Sequence, residues 1–458
     1  MIHLFQFQGD FLAYDSESQA LHLLDEIAWS VLAAYQENGG HRPDAAGLDR
    51  LARRHGPEAA ECAAEIDQLI QDGDLFAPPE QATLAQLYPD GARIKSMCLH
   101  LCHDCNMRCT YCFAGTGDFG TGHRTMLDES TGRKAIEFLL EASGDRHNLD
   151  IDFFGGEPLL NWPVVVALTR YCEQRSRETG KSLRLTITTN ATLLDDEKIA
   201  FINEHFKNCV LSIDGRPEVH DRMRPDAGGH GTYDRVARHI RSFVAARGDR
   251  EYYLRATFTR HNLDFDQDVL HLAGLGSQVS VEPVVAPAGS GYEIRPEDLP
   301  AIEAAYERLA AAMLDAEERG EGFNFFHYMI DLSEGPCFFK RLKGCGVGTE
   351  YCAVTPEGDI YPCHQFVGIE SFKMGSVHEQ PVRLDPAVQA QFAHLLVPDK
   401  PACNDCWARY FCSGGCAANA WFATGRVDGL YETGCRMERK RLEGALWLEA
   451  RRKLRQAD

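Results

Sequence analysis

The sequence predicts an α/β protein in three parts: a partial (β/α)6 barrel, a small winged-helix-like domain before it, and a cysteine-rich segment after it. Three observations predict this. From residue 94 to residue 285, six strand-like runs appear, most of them separated by amphipathic helical stretches, which is the pattern of a parallel sheet with helical crossovers. The first ~85 residues carry a strand and helix pattern of their own, and Pro78-Pro79 opens a linker. Residues 337–435 are rich in Cys, Gly and Pro with little periodicity. Such a segment has too few apolar residues for its own core and calls for bound metal.

In chain order, residues 2–7 and 11–14 alternate like a hairpin with Gly9-Asp10 at the turn. Helical patterns follow at Leu23–Tyr35, Ala45–His55 and Glu58–Gln71, the last ending at Asp72-Gly73-Asp74. This unit has the size of a winged helix but lacks a basic recognition helix. The strand-like runs of the second part are 94–101, 149–154, 183–189, 209–213, 252–259 and 279–285, with helices such as 131–142, 195–206 and 233–246. In α/β barrels the chemistry sits on loops after the strand C-termini, so those loops are the candidate site. A helix over about 297–318 leaves the barrel, and a final helix, about 436–455, alternates basic and apolar residues. The expected domains are 1–85, 90–320, the cysteine-rich 335–440, and a C-terminal helix 441–458.

With 68 acidic and 47 basic residues, the net charge is −21, which disfavours a phosphate backbone as partner. No apolar run approaches the roughly 20 residues that cross a bilayer, and Met1-Ile2-His3-Leu4-Phe5-Gln6 is unlike a signal peptide. A cytoplasmic protein with no membrane or nucleic-acid partner is the expectation. Its seventeen cysteines are then expected to bind metal rather than form disulfides. Cys62, Cys172 and Cys209 are scattered in helix- or strand-like stretches and read as buried apolar residues.

After the first strand comes Cys105-Asn106-Met107-Arg108-Cys109-Thr110-Tyr111-Cys112, a C-x-x-x-C-x-x-C loop with an aromatic before the last cysteine. Three thiolates in one tight loop hold three irons of a cubane cluster and leave the fourth iron open. A closed metal loop, with Cys98 or Cys102 as fourth ligand, is the alternative. The second strand ends in Gly155-Gly156-Glu157-Pro158, the third in Thr188-Thr189-Asn190, and the fourth in Ser212-Ile213-Asp214-Gly215. Together these motifs resemble the radical S-adenosylmethionine (SAM) superfamily. The resemblance implies that the Cys105, Cys109 and Cys112 cluster binds SAM and reduces it to a 5′-deoxyadenosyl radical. It implies that Gly155, Gly156 and Glu157 bind the SAM amino group and that Arg224 pairs with its carboxylate, Arg222 being the competitor. Tyr111, Asn190, Ser212 and Asp214 complete the cofactor set, and Glu282-Pro283 falls where the adenine edge is met.

Farther on stand Cys345, then Gly358-Asp359-Ile360-Tyr361-Pro362-Cys363, then Cys403-x-x-Cys406, Cys412, Cys416 and Cys435. These spacings resemble the seven-cysteine SPASM domain. The resemblance implies two auxiliary [4Fe-4S] clusters, three in all with the SAM cluster. One is held by Cys403, Cys406, Cys412 and Cys435. The other is held by Cys345, Cys363 and Cys416, with either Cys352 as fourth ligand or an open site for a substrate thiol; Cys337 is a weaker candidate. Zinc knuckles are the alternative reading.

The runs His103 to Gly120 and Ala353 to Phe366 resemble the maturases of SCIFF peptides, small ribosomally made precursors rich in cysteine. That resemblance implies thioether cross-links between cysteine sulfur and carbon of another residue. It also implies a leader peptide gripped by the N-terminal domain as an added edge strand, and a flavodoxin or ferredoxin as electron donor. No protein base is required, and no catalytic side chain is named. The competing readings are another SPASM maturase, forming C–C links or acting on sulfatases, and a zinc-stabilised winged-helix binding protein.

Overall fold

The computed structural model describes residues 1–79, 91–332 and 338–457, so Cys337 and the expected linker from residue 80 to 90 lie outside the described residues. The N-terminal part is a three-stranded antiparallel sheet, β1 (Ile2–Phe7), β2 (Asp10–Asp15) and β3 (Leu21–Leu24), followed by three helices, Glu26–Glu37, Ala45–His55 and Glu58–Asp72. The turn is Gln8-Gly9, both at positive φ (50° and 84°), one residue earlier than expected. Strand β3 is a correction to the expected helix start at Leu23. Leu21–Leu24 pairs with Phe11–Tyr14, and the helix starts only after Asp25, whose side chain caps it by accepting from the Ala28 N–H at 2.7 Å.

The six expected barrel strands are β4 (Ser96–Cys102), β5 (Asn148–Gly155), β6 (Ser182–Thr189), β7 (Asn208–Ser212), β8 (Tyr253–Phe258) and β9 (Gln278–Pro283), all parallel. Four short strands went unforeseen. β10 (Asn324–Phe325) extends the sheet beyond β9. On the other side, β11 (Tyr351–Val354) lies parallel to β4, with β12 (Asp359–Tyr361) and β13 (Gly375–Ser376) antiparallel beyond it. The cysteine-rich segment is thus stitched into the barrel sheet rather than set apart from it.

The sheet's two faces differ. Along β5, Leu149, Ile151 and Phe153 are fully buried on one face, each worth about 2 kcal/mol of burial. The alternate residue Phe154 lines a cavity. Cys172 and Cys209 are buried among apolar neighbours and Cys62 is half-buried. The last helix runs unbroken over Glu432–Ala457 and packs on the helix Leu299–Glu318, so the expected boundary at residue 441 falls inside a helix. No helix among the described residues is long and apolar enough to cross a membrane.

Candidate active site

The loop after β4 is held from two sides. The Arg108 and Thr110 N–H groups donate to the carbonyls of Pro225 and Met223 at 2.8 and 2.9 Å, and the N–H groups of Gly156 and Glu157 to those of Cys102 and Asp104 at 2.9 Å. This second seam explains the paired glycines. A Cβ on Gly155 would meet the Cys102 carbonyl oxygen at 2.3 Å, and one on Gly156 the Asp104 oxygen at 2.0 Å. Both glycines also line a cavity of about 660 Å³ that contains Cys105, Cys109 and Cys112. Gly156→Ala is therefore expected to push the cysteine loop out of place, with most loop-bound iron lost on metal analysis, whereas Gly9→Ala, facing open space, should change iron content little.

The three thiols sit as one set. Burial raises Cys105 to about 12, and the negative charge of Glu157, then of Cys109 and Cys112 as thiolates, pushes the same way. Cys102 stands apart. Its buried thiol donates to the carbonyls of Glu157 (3.0 Å) and Asp104 (3.3 Å).

The polar residues divide into bracing and lining groups. Glu157 is fully buried, and its carboxylate accepts from the Leu159 N–H (3.0 Å), the Thr189 hydroxyl (2.7 Å) and the Asn190 N–H (2.7 Å). Burial lifts it to about 7. This carboxylate braces the ends of β5 and β6. Asn190 lines the cavity and donates to Asn106 at 2.9 Å, and Ser212 lines it too. Tyr111 donates to the Asp214 carboxylate, which also accepts from the Thr257 N–H at 3.1 Å. The Arg224 guanidinium donates to the Tyr111 hydroxyl at 2.9 Å and to Asp214 at 3.4 Å. Arg224 is 8% exposed at the cavity wall, and its Nε has no protein partner among the described residues. A buried, partly unpaired guanidinium beside three thiols suits a ligand carboxylate. Arg222 lies exposed on the helix Pro217–Met223.

The later cysteines influence one another electrostatically in two groups. Burial lifts Cys412 to about 12, and the charges of Glu438, Cys435, Cys403 and Cys406 add to it. Burial likewise raises Cys363, and Cys416 and Cys345 push it further. Cys352 joins neither set. It lies fully buried in β11 with Met97 as its register partner, and strand alternation turns it away from Tyr351, whose hydroxyl meets His364 at 3.0 Å beside the cavity. Burial alone raises it to about 12. In the fold it is a fully buried residue of the strand.

Among the cavity residues that escaped the sequence reading are Arg255, His364, Glu438 and Arg441. Arg441 reaches Glu282 at 3.3 Å across the cavity floor. The spacing of Cys435, Glu438 and Arg441, three residues apart on one helix face, was the available signal.

The radical SAM superfamily model matches residues 99–260, and the SPASM model, an iron–sulfur cluster-binding domain, matches residues 345–407. The chain is 28% identical over 346 residues to the AdoMet-dependent heme synthase of Methanosarcina barkeri, spanning 70% of this chain and 90% of that one. It is 26% identical over 342 residues to mycofactocin maturase MftC of Mycobacterium ulcerans, spanning 72% and 84%. Its fold resembles Streptococcus suis SuiB bound to the precursor peptide SuiA, with TM-score 0.53 and 16% identity over 94% of this chain and 97% of that one. The chain thus matches a radical SAM domain over residues 99–260 and a SPASM iron–sulfur cluster-binding domain over residues 345–407. The cysteine sets and the Arg224 guanidinium have the chemistry that iron–sulfur clusters and SAM require.

Proposed function

We propose that this enzyme matures a ribosomally made, cysteine-rich peptide by joining cysteine sulfurs to carbons of other residues as thioethers. The observation that carries the reading is the shared cavity, which Cys105, Cys109, Cys112, Cys412, Cys416 and Cys435 all line. When bound, SAM and its cluster supply a 5′-deoxyadenosyl radical that removes a hydrogen atom, and the auxiliary clusters supply a sink for the surplus electron. Cys105, Cys109 and Cys112 would hold the SAM cluster, and Arg224 the SAM carboxylate. Cys403, Cys406, Cys412 and Cys435 would close one auxiliary cluster. Cys345, Cys363 and Cys416 number one fewer than a closed cubane takes, leaving a place for the peptide thiol.

Each bridge turns one C–H and one S–H into a C–S bond. The hydrogen atom leaves in 5′-deoxyadenosine, and the proton and one electron leave separately. Among the described residues strand β3 pairs with β2 alone, so its outer edge suits an added leader strand. A flavodoxin or ferredoxin would deliver the electrons.

The test is the mass and thiol content of a cysteine-rich precursor after anaerobic incubation with the protein, SAM and reductant. Two hydrogens lost per bridge, with two thiols fewer for every two bridges on alkylation, supports the reading. The same mass loss with every thiol still alkylated would make the enzyme a C–C cross-linking maturase instead.

A further inference from the structure

The N-terminal sheet does not stand clear of the cysteine-rich segment; it grips it at two places. The first is the stretch between Cys406 and Cys412. The His3 ring of β1 stacks on Trp407 at 3.8 Å with 7° between planes. Glu17, from the turn after β2, is 3% exposed and pairs with Arg409, itself 6% exposed, while the Tyr410 hydroxyl donates to Glu17 at 2.9 Å. The same Arg409 guanidinium donates through its other arm to the Asn404 carbonyl, inside Cys403-x-x-Cys406. The second place is the helix that starts beside Cys435. Glu443 meets His3 at 3.0 Å, and Asp10 accepts from Trp447 at 2.7 Å and from both arms of Arg451 at 2.6 and 2.7 Å.

The cysteine stretch is short in regular structure, although Ala408 is buried in the main core. Its helices, Pro401–Asn404 and Arg409–Cys412, are single turns, and Cys403 belongs to a small satellite core with Leu342, Leu396 and Val397. Groups that orient metal ligands from behind commonly change metal affinity 10- to 100-fold when removed. Glu17 is such a group at one remove, because without it Arg409 is a buried charge lacking its carboxylate.

We propose that the N-terminal domain is a structural half of the Cys403, Cys406, Cys412 and Cys435 site: His3 and Glu17 are positioning residues that keep these ligands closed around a metal cluster. The proposal rests on the reading that these four cysteines hold a cluster. It gives the domain a role apart from peptide recognition, exerted with no peptide present.

The test uses the full chain, reconstituted anaerobically, with iron and sulfide per chain and the rate of iron loss to a chelator as readouts. The His3→Ala/Glu17→Ala variant is expected to lose up to about four irons per chain and to release the remainder of that cluster on the order of 10-fold faster. It should keep peptide-free SAM cleavage, which depends on the separate Cys105, Cys109 and Cys112 set. Cys406→Ala is the reference. If it loses no iron, the cluster reading itself fails. If it loses iron while the double variant keeps the wild-type content and release rate, the positioning role is overturned. Should the double variant not fold, Glu17→Gln decides, since it keeps an acceptor for Tyr410 but removes the charge facing Arg409. A several-fold faster release supports the proposal, and an unchanged rate sinks it.

Discussion

Replacing Cys105, Cys109 and Cys112 together with alanine is expected to abolish reductive SAM cleavage, with 5′-deoxyadenosine falling to the protein-free level. The three side chains line one cavity, and burial raises the thiols of Cys105 and Cys109, so a metal must displace their protons to bind them. No neighbouring thiol can substitute for them. Cys102 is the nearest in sequence, but its thiol is committed to two backbone carbonyls. Cys102→Ala should therefore keep SAM cleavage within a few-fold of wild type, at a stability cost of about 1 kcal/mol for the lost hydrogen bonds. Loss of cleavage in that variant would make Cys102 a participant. Cleavage surviving in the triple variant would refute the assignment of the loop.

The second large effect is expected at Arg224. Arg224→Met removes the cation proposed to pair with the SAM carboxylate, so SAM binding should weaken by about 10- to 100-fold, the worth of a charged hydrogen bond. It also leaves Asp214, 1% exposed, without its counter-charge, at a cost of about 3 kcal/mol. Burial already holds the Asp214 carboxyl above its ordinary 3.8, and Arg224 opposes that rise. Without Arg224 the folded-state value climbs further. The folded variant then binds a proton that the unfolded chain releases, so its stability falls as pH rises above about 4 and recovers on acidification. Denaturant unfolding at pH 5 and pH 8 should show the larger deficit at pH 8. An equal deficit at both, together with unchanged SAM affinity, would exclude this role.

Much of this site was legible in the sequence because its chemistry is written in short spacings. The C-x-x-x-C-x-x-C loop, the two glycines after β5 and the cysteine pattern beyond residue 345 each single out candidate ligand residues without knowledge of the fold. The six barrel strands were legible for a similar reason, since buried parallel strands are short apolar runs between helices. What stayed hidden depends on contacts distant in sequence. Tyr351–Val354 becomes a strand only because β4 offers it a free edge, and that pairing takes Cys352 into the core. The bracing of Glu157 by Leu159, Thr189 and Asn190 likewise forms only in the fold. The grip of Glu17 on Arg409 spans 392 residues, a separation no local pattern can reveal. β3 was missed because Leu21–Leu24 suits a helix start as well as a strand, and only pairing with β2 decides between them.

The most direct test of the account is to reconstitute the full chain with iron and sulfide under anaerobic conditions and supply SAM and dithionite. The account predicts a brown protein with about twelve irons per chain, forming 5′-deoxyadenosine and methionine in equal amounts. A colourless protein that retains zinc in preference to iron, or a brown one that leaves SAM intact, would contradict it.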